Sequence, residues 1–489
     1  MMQQKYIQPS NPAYEELFKN LGEYTLCVPP YQRPFVWTQQ KAETLLNDWK
    51  EYLQSVQYQK GIDYYMGTII IHKDDENHKL NIVDGQQRIT TLLILDYALN
   101  GKSSVIIRYK KQIEIDVRNY NSKKSIKAIT SFAVKCCSEG GRYEVLQQNN
   151  IFQHLRFTVI MTDNEDDAFT FFDSQNNRGV QPSSVDVLKA VHLRAIHADE
   201  ELQKISACLW EKTQNVCENI FRNKPEDYLN NLITIALWRL RTWKGSSFYY
   251  DASYENVMCE FAEKLEYTSK NNMKVYTVPF SYELLFDSEM KVTEEIVSKT
   301  NTTKVYPFTV RQPLVKGICF FSFIETYHQI AMELFQNESK NSEIIKMRDL
   351  YKKLYIETGS TTYMSDYFIM LMIFYFDKFG SEKLYYFALC IDYIIGQWRT
   401  TNFYFREKAM MNVTKKHNII DKIQICYEPN EIIMELLEIQ IERKQAVVNS
   451  PIQKYKNANY EYYKQIESET DDFVSRKKEW IKNIIEDGK

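Results

Sequence analysis

Residues 82–92 read Ile82-Val83-Asp84-Gly85-Gln86-Gln87-Arg88-Ile89-Thr90-Thr91-Leu92. A short apolar run, Leu80–Val83, stops at Asp84-Gly85, after which Ile89, Leu92, Leu93 and Leu95 lie on the apolar face of a helix over Ile89–Leu99. The stretch is therefore a strand that turns sharply into a helix, with two amides and a guanidinium packed at the turn. It has two readings. Asp84 can cap the helix, with Gln87 as its capping-box partner three residues on and Gly85 merely making the turn. Alternatively, the free N–H groups of the first helical turn and Arg88 hold an anion or a phosphate. A cation in that first turn opposes the helix dipole, so a nearby anion would explain it. The two roles are compatible and both stay open.

Outward from the turn, Tyr64–His72 is β-rich, Lys73–His78 is polar and Lys79–Val83 is the next strand, which together read as a hairpin. Tyr24–Val28 reads as a strand stopped by Pro29-Pro30. Thr38 reads as the N-cap of a helix to about Val56, with Ala42, Leu45, Leu46, Trp49 and Leu53 on one face. Val105–Tyr109, Ile113–Val117 and Leu155–Met161 read as strands, Asp163–Phe172 as helical, and a further helix begins at Ser183 or Ser184 and runs to about Ala198. From about residue 200 helical patterns dominate: Glu200–Phe221, Pro225–Trp243, Pro313–Phe335, Ser342–Tyr355, Tyr363–Phe379, Glu382–Arg399, Asn430–Val448 and a final charged stretch Tyr460–Asp487. The expected class is α+β: an N-terminal domain over 1–200, then a mostly α-helical domain over 201–489, whose division near 244–304 stays open.

Two other stretches carry the residue types of the first. Pro30-Tyr31-Gln32-Arg33-Pro34-Phe35-Val36-Trp37 is pinned by proline on both sides of Gln32-Arg33 and offers aromatic faces beside donors, which suits a base and its phosphates. A loop whose aromatics are simply core reads equally well. Phe172-Asp173-Ser174-Gln175-Asn176-Asn177-Arg178-Gly179 leads through Ser183 and Asp186 to Lys189, again with a cation at a helix boundary. A helix–turn–helix connector capped by Ser183 is the plain alternative.

Composition narrows the remainder. A net charge of −3 gives no global nucleic-acid signal, so any DNA contact needs a local basic patch. Nine scattered cysteines, no Cys-x-x-Cys and no evident signal peptide lead us to expect a reduced, cytoplasmic setting. Tyr367–Phe376 is too short to span a bilayer and Leu384–Gly396 contains Asp392, so both read as buried helices, with no membrane partner. Gly101-Lys102-Ser103 mimics the end of a P-loop, but Asp96 stands where the first glycine belongs. Arg476-Lys477-Lys478 reads as a solvated helix face, and the Tyr and Phe residues of the helical half mostly as core. No metal-ligand set is evident.

The Pro-Tyr-Gln-Arg-Pro-Phe-Val-Trp loop, Tyr65-Met66-Gly67-Thr68-Ile69, the Asp-Gly-Gln-Gln-Arg turn and the Asn-Asn-Arg-Gly…Ser…Asp…Leu-Lys run together resemble the N-terminal domain family of GmrSD-type restriction endonucleases, over about residues 12–195. The resemblance implies a ParB/sulfiredoxin-like core and binding of a nucleoside triphosphate, GTP or ATP, with Mg2+. It also implies hydrolysis coupled to defence against foreign or modified DNA. Carried onto this chain, Asp84, Gly85, Gln86, Gln87 and Arg88 would form the phosphate site. Tyr31, Gln32 and Arg33 would face it, and Asn177, Arg178 and Lys189 would complete it. Water would attack the terminal phosphate, Arg88 and Arg33 would stabilise charge, and Asp84 or a glutamine such as Gln87 would orient water or Mg2+. The family's C-terminal His-Asn-His nuclease has no counterpart here, since His328 and His417 lack that spacing. The helical half would then sense DNA or dock a separate nuclease subunit, and self-association stays open. Three functions follow in order: a nucleotide-hydrolysing component of an antiphage restriction system, a non-enzymatic nucleotide-gated DNA-binding module, and a nuclease that uses the N-terminal domain. The last ranks lowest because no second acidic metal ligand is evident.

Overall fold

The computed structural model describes residues 7–29, 32, 35–115, 120–137, 140–165, 167–168, 171, 183–196, 200–214, 216, 219–221, 227–245, 248–249, 251–263, 309–312, 314, 316–359, 361–401, 406–439, 450–466 and 472–487. The chain divides into two compact units: Met1–Leu193 with Glu200–Cys208, and Arg194–Asp199 with Leu209–Lys489.

The first unit is built on a mixed six-stranded sheet in the order β1-β6-β3-β4-β2-β5: β1 Ile7–Ser10, β2 Thr25–Cys27, β3 Tyr64–Asp74, β4 Lys79–Asp84, β5 Ile113–Glu114 and β6 Leu155–Thr162. The β3–β4 hairpin is antiparallel as expected, while β3–β6 and β2–β4 are parallel. Alternation along β3 divides the core. Ile69 and Ile71 face a large cluster with Tyr14, Leu46, Trp49, Leu92, Ala133 and Phe157, which the helices Tyr14–Lys19, Gln39–Leu53, Gln86–Asn100 and Tyr120–Cys137 cover. Ile70 and Val83 turn to the opposite face and pack with Ala168.

Several expectations are corrected. The helix capped by Thr38 stops at Leu53, because Ser55 caps a separate turn over Val56–Gln59. Val105–Arg108 is helical rather than a strand: the buried Asp96 carboxylate accepts the Val105 N–H at 2.7 Å and so caps the segment. The same carboxylate accepts Asn100 Nδ2 and the Tyr14 hydroxyl, and burial pushes its pKa up. The residue that breaks the P-loop pattern is thus a structural group. Leu155–Thr162 is a strand as expected, and the helix near Ser183 spans Ser184–Arg194. Residues 116 and 117 of the expected strand Ile113–Val117 lie outside the described residues.

The second unit is helical. Its central helix, Thr362–Phe379, is buried along every position from Met364 to Tyr375, and Leu384–Thr401 packs beside it, as the apolar runs implied. The expected single helix Tyr460–Asp487 is two, Ser450–Tyr462 and Phe473–Asp487. The solvated face expected at Arg476-Lys477-Lys478 is overturned at its middle residue. Lys477 shares the inward stripe of Phe473, Trp480, Ile481 and Ile485, and its ammonium is ion-paired with the fully buried Asp392. Asp392 Oδ1 also accepts the Tyr355 and Tyr455 hydroxyls at 3.0 and 2.8 Å, so the pair is buried with its hydrogen bonds satisfied. No described helix is long and apolar enough to cross a membrane.

Candidate functional site

β4 ends at Asp84, and the helix Gln86–Asn100 begins two residues later. The hinge is Gly85, with φ at +97°. That backbone conformation is costly for any residue with a Cβ. A Cβ here would also lie 3.1 Å from Ile69 Cγ1, so that side chain would have to give by a few tenths of an ångström. The capping-box reading is corrected: Gly85 is the N-cap and no side chain caps the helix. Asp84 remains in the ladder, paired with Ile70 across the hairpin, so its carboxylate reaches Arg88 instead. Arg88 Nη2 donates to Asp84 Oδ2 at 3.0 Å and Nη1 donates to the Met66 carbonyl at 3.3 Å. Both charged side chains are partly exposed.

The residue after Met66 makes this geometry possible. Gly67 has φ at +100°, and a Cβ there would lie 2.3 Å from Arg88 Nη1. The guanidinium therefore lies against bare backbone in the middle of β3. A glycine inside a β-rich run is the sequence signal that could have found it, since such glycines mark close approach.

Two further segments converge on the turn. Gln32 Nε2 donates to the Val83 carbonyl at 2.6 Å, and Lys189, buried in the helix Ser184–Arg194, donates to the Gln32 carbonyl at 3.3 Å. Gln87 Oε1 accepts the N–H groups of Val36 and Trp37 at 2.9 and 3.2 Å. Ser122 Oγ, a residue that pattern reading passed over, accepts the Phe35 N–H at 2.8 Å. Hydrogen bonds thus tie Gln32, Asp84, Gln87, Arg88 and Lys189, drawn from three distant stretches, around the same turn. Gln86 is buried, and its amide oxygen has no hydrogen-bond partner among the described residues. Tyr31, Arg33, Asn177 and Arg178 lie outside the described residues.

The arrangement can bind an anion. The first N–H groups of a helix have no acceptor within it, and Arg88 belongs to that first turn, its guanidinium reaching Asp84 and the Met66 carbonyl. Among the described residues no group of three His, Cys, Asp or Glu is placed to hold a metal ion. Asp84 is the one acidic residue at the turn itself, and Mg2+ bound through nucleotide phosphates needs only one or two carboxylates.

Residues 14–193 match the family model described as GmrSD restriction endonuclease, N-terminal domain. Residues 202–450 match a family of unknown function (DUF7834). No curated protein matches the chain.

Proposed function

We propose, for a chain that carries a GmrSD restriction endonuclease N-terminal domain over residues 14–193 and belongs over residues 202–450 to a family of unknown function (DUF7834), that the turn at Gly85 binds and hydrolyses a nucleoside triphosphate within a restriction system acting on foreign or modified DNA. The observation that carries this reading is the placing of Arg88 at the opening of the Gln86–Asn100 helix, with the Gln32 loop and Lys189 tied to the same turn. Phosphate oxygens would accept charge-assisted bonds from Arg88 and further bonds from the helix's first N–H groups. Arg33, Asn177 and Arg178 would add donors, as the family resemblance implies. Asp84 would hold Mg2+ carried by the phosphates, and the ion would neutralise part of their charge. Gln32 and Gln87 act as latches on the loop that carries Tyr31 and Arg33.

One observation favours a second reading, nucleotide binding without turnover that gates DNA affinity. Asp84 is held by Arg88, and the Gln87 carbonyl by two backbone N–H groups, so neither is disposed to take a proton from water in this state.

Purified full-length protein assayed against ATP, GTP, CTP and UTP, with and without modified DNA, decides between them. Hydrolysis lost in Arg88→Ala supports the first reading, and tight binding without turnover supports the second. Hydrolysis unaltered by Arg88→Ala removes the site.

A further inference from the structure

Tyr65 lies on β3, two residues before Gly67, and is 58 % exposed. A single exposed aromatic is ordinary. This one is tethered: its hydroxyl donates to Thr158 Oγ1 on the adjacent strand β6 at 3.1 Å and lies 3.3 Å from Thr68 Oγ1 on its own strand. The register pairs Thr68 with Thr158, beyond the bulge that separates them from Tyr65. A phenol that reaches both hydroxyls must run along the sheet surface instead of standing away from it. One ring face is then left to solvent with little rotamer freedom remaining to lose. Hydrogen bonds from Thr158 and Thr68 are the main cause of the phenol's lowered pKa, and the positive charge of Arg88 adds to them. Gly67, two residues along the strand, leaves the Arg88 guanidinium lying against bare backbone.

We propose that Tyr65 is the platform on which the base of the bound nucleotide stacks, its phosphates leading across Gly67 to Arg88; this rests on the phosphate reading above. A fixed aromatic face beside an anion site suits a nucleobase joined to phosphate. Stacking needs only a π-face, so Tyr65 supplies affinity without choosing one base, and larger purines gain more than pyrimidines.

Calorimetric titration of the full chain with ATP, GTP, inorganic triphosphate and a labelled single-stranded DNA oligonucleotide tests it. Tyr65→Leu keeps an apolar side chain of similar reach but has no π-face, Tyr65→Phe keeps the face without the tether, and Tyr65→Trp enlarges the face. Tyr65→Leu is expected to weaken ATP and GTP roughly 5- to 100-fold and to leave triphosphate within about two-fold, while Tyr65→Trp holds nucleotide affinity. Nucleotide affinity unchanged in Tyr65→Leu but lost in Arg88→Ala overturns the platform and leaves the phosphate site standing. Equal losses for nucleotide and triphosphate overturn it as well, by making Tyr65 a scaffold residue. A loss confined to the oligonucleotide assigns the ring to a DNA strand and overturns the nucleotide proposal. A wild-type chain that binds neither nucleotide nor triphosphate removes the phosphate reading and the platform together.

Discussion

Gly67→Ala adds one methyl group, and the structure says where it goes. Its Cβ would sit 2.3 Å from Arg88 Nη1 and 3.4 Å from Arg88 Cζ. Ordinary contact begins near 3.5 Å, so the guanidinium must retreat by about 1 Å. Its bond to Met66, already 3.3 Å, would break, and the 3.0 Å contact with Asp84 would stretch. For partly exposed groups that loss amounts to about 1 kcal/mol. An alanine held at positive φ adds about 1–2 kcal/mol of backbone strain. The sum, about 2–3 kcal/mol, is separable by a double-mutant cycle. In an Arg88→Ala background only the strain remains, so the coupling between the two positions should be about 1 kcal/mol. Hydrogen exchange on the full chain, read at β3 and at the Gln86–Asn100 helix, measures both terms locally. An identical cost in both backgrounds would show that the methyl does not meet Arg88 and would refute the packing described for the site. Gly67→Ala should also abolish nucleotide binding, since the displaced guanidinium no longer flanks the helix N-terminus.

Gly85→Ala should destabilise the same helix by about 1–3 kcal/mol through positive φ and contact with Ile69; unchanged exchange in the helix's first turns would contradict the hinge. Lys477→Met should cost about 3–5 kcal/mol, by leaving Asp392 buried without its cation, whereas adding Asp392→Asn should restore most of the loss; urea midpoints of the single and double variants check this, and a merely additive double variant would refute the pairing. Asp377 is half-buried and accepts the Tyr327 hydroxyl at 2.8 Å and the Val310 N–H at 3.1 Å, and desolvation raises its pKa to about 7. The unfolded chain ionises this group first, so its contribution is full at acidic pH, declines as pH rises through the ordinary carboxylate range and levels off above about 7. The decline is about 4 kcal/mol at most. Asp377→Asn should remove that slope from the difference between the two stability–pH curves, and parallel curves would exclude it.

Much of the N-terminal fold was legible because its signals are local. The hairpin and the Thr38 cap announce themselves by a β-rich run and by turn and capping residues, and the apolar runs of the helical half are long enough to be read as buried. The errors came where a distant residue decided the outcome. Val105–Arg108 alternates like a strand, but Asp96 caps it into a helix. Lys477 sits in a charged run, yet its partner is 85 residues earlier. At the turn, the anion reading needed only the order of residue types. That Gly85 rather than Asp84 caps the helix, and that Gln87 spends its carbonyl on Val36 and Trp37, depends on which way the hinge throws the strand end. Gly67 was visible as an anomaly within a β-run, but its purpose required Arg88 to be placed beside it.

The buried pair in the helical unit also bears on how the chain is made. Asp392 sits in the middle of its bundle and Lys477 is 85 residues closer to the C-terminus. At synthesis rates of about 5–20 residues per second, the carboxylate waits roughly 4–17 seconds for its cation to be translated. Until then, closing the bundle around Asp392 would bury an uncompensated charge. The helical unit can therefore complete its core only when the last helix has left the ribosome, whereas every described strand of the N-terminal sheet is already translated by residue 162. A nascent chain of this protein should accordingly present a finished sheet unit well before its helical half closes.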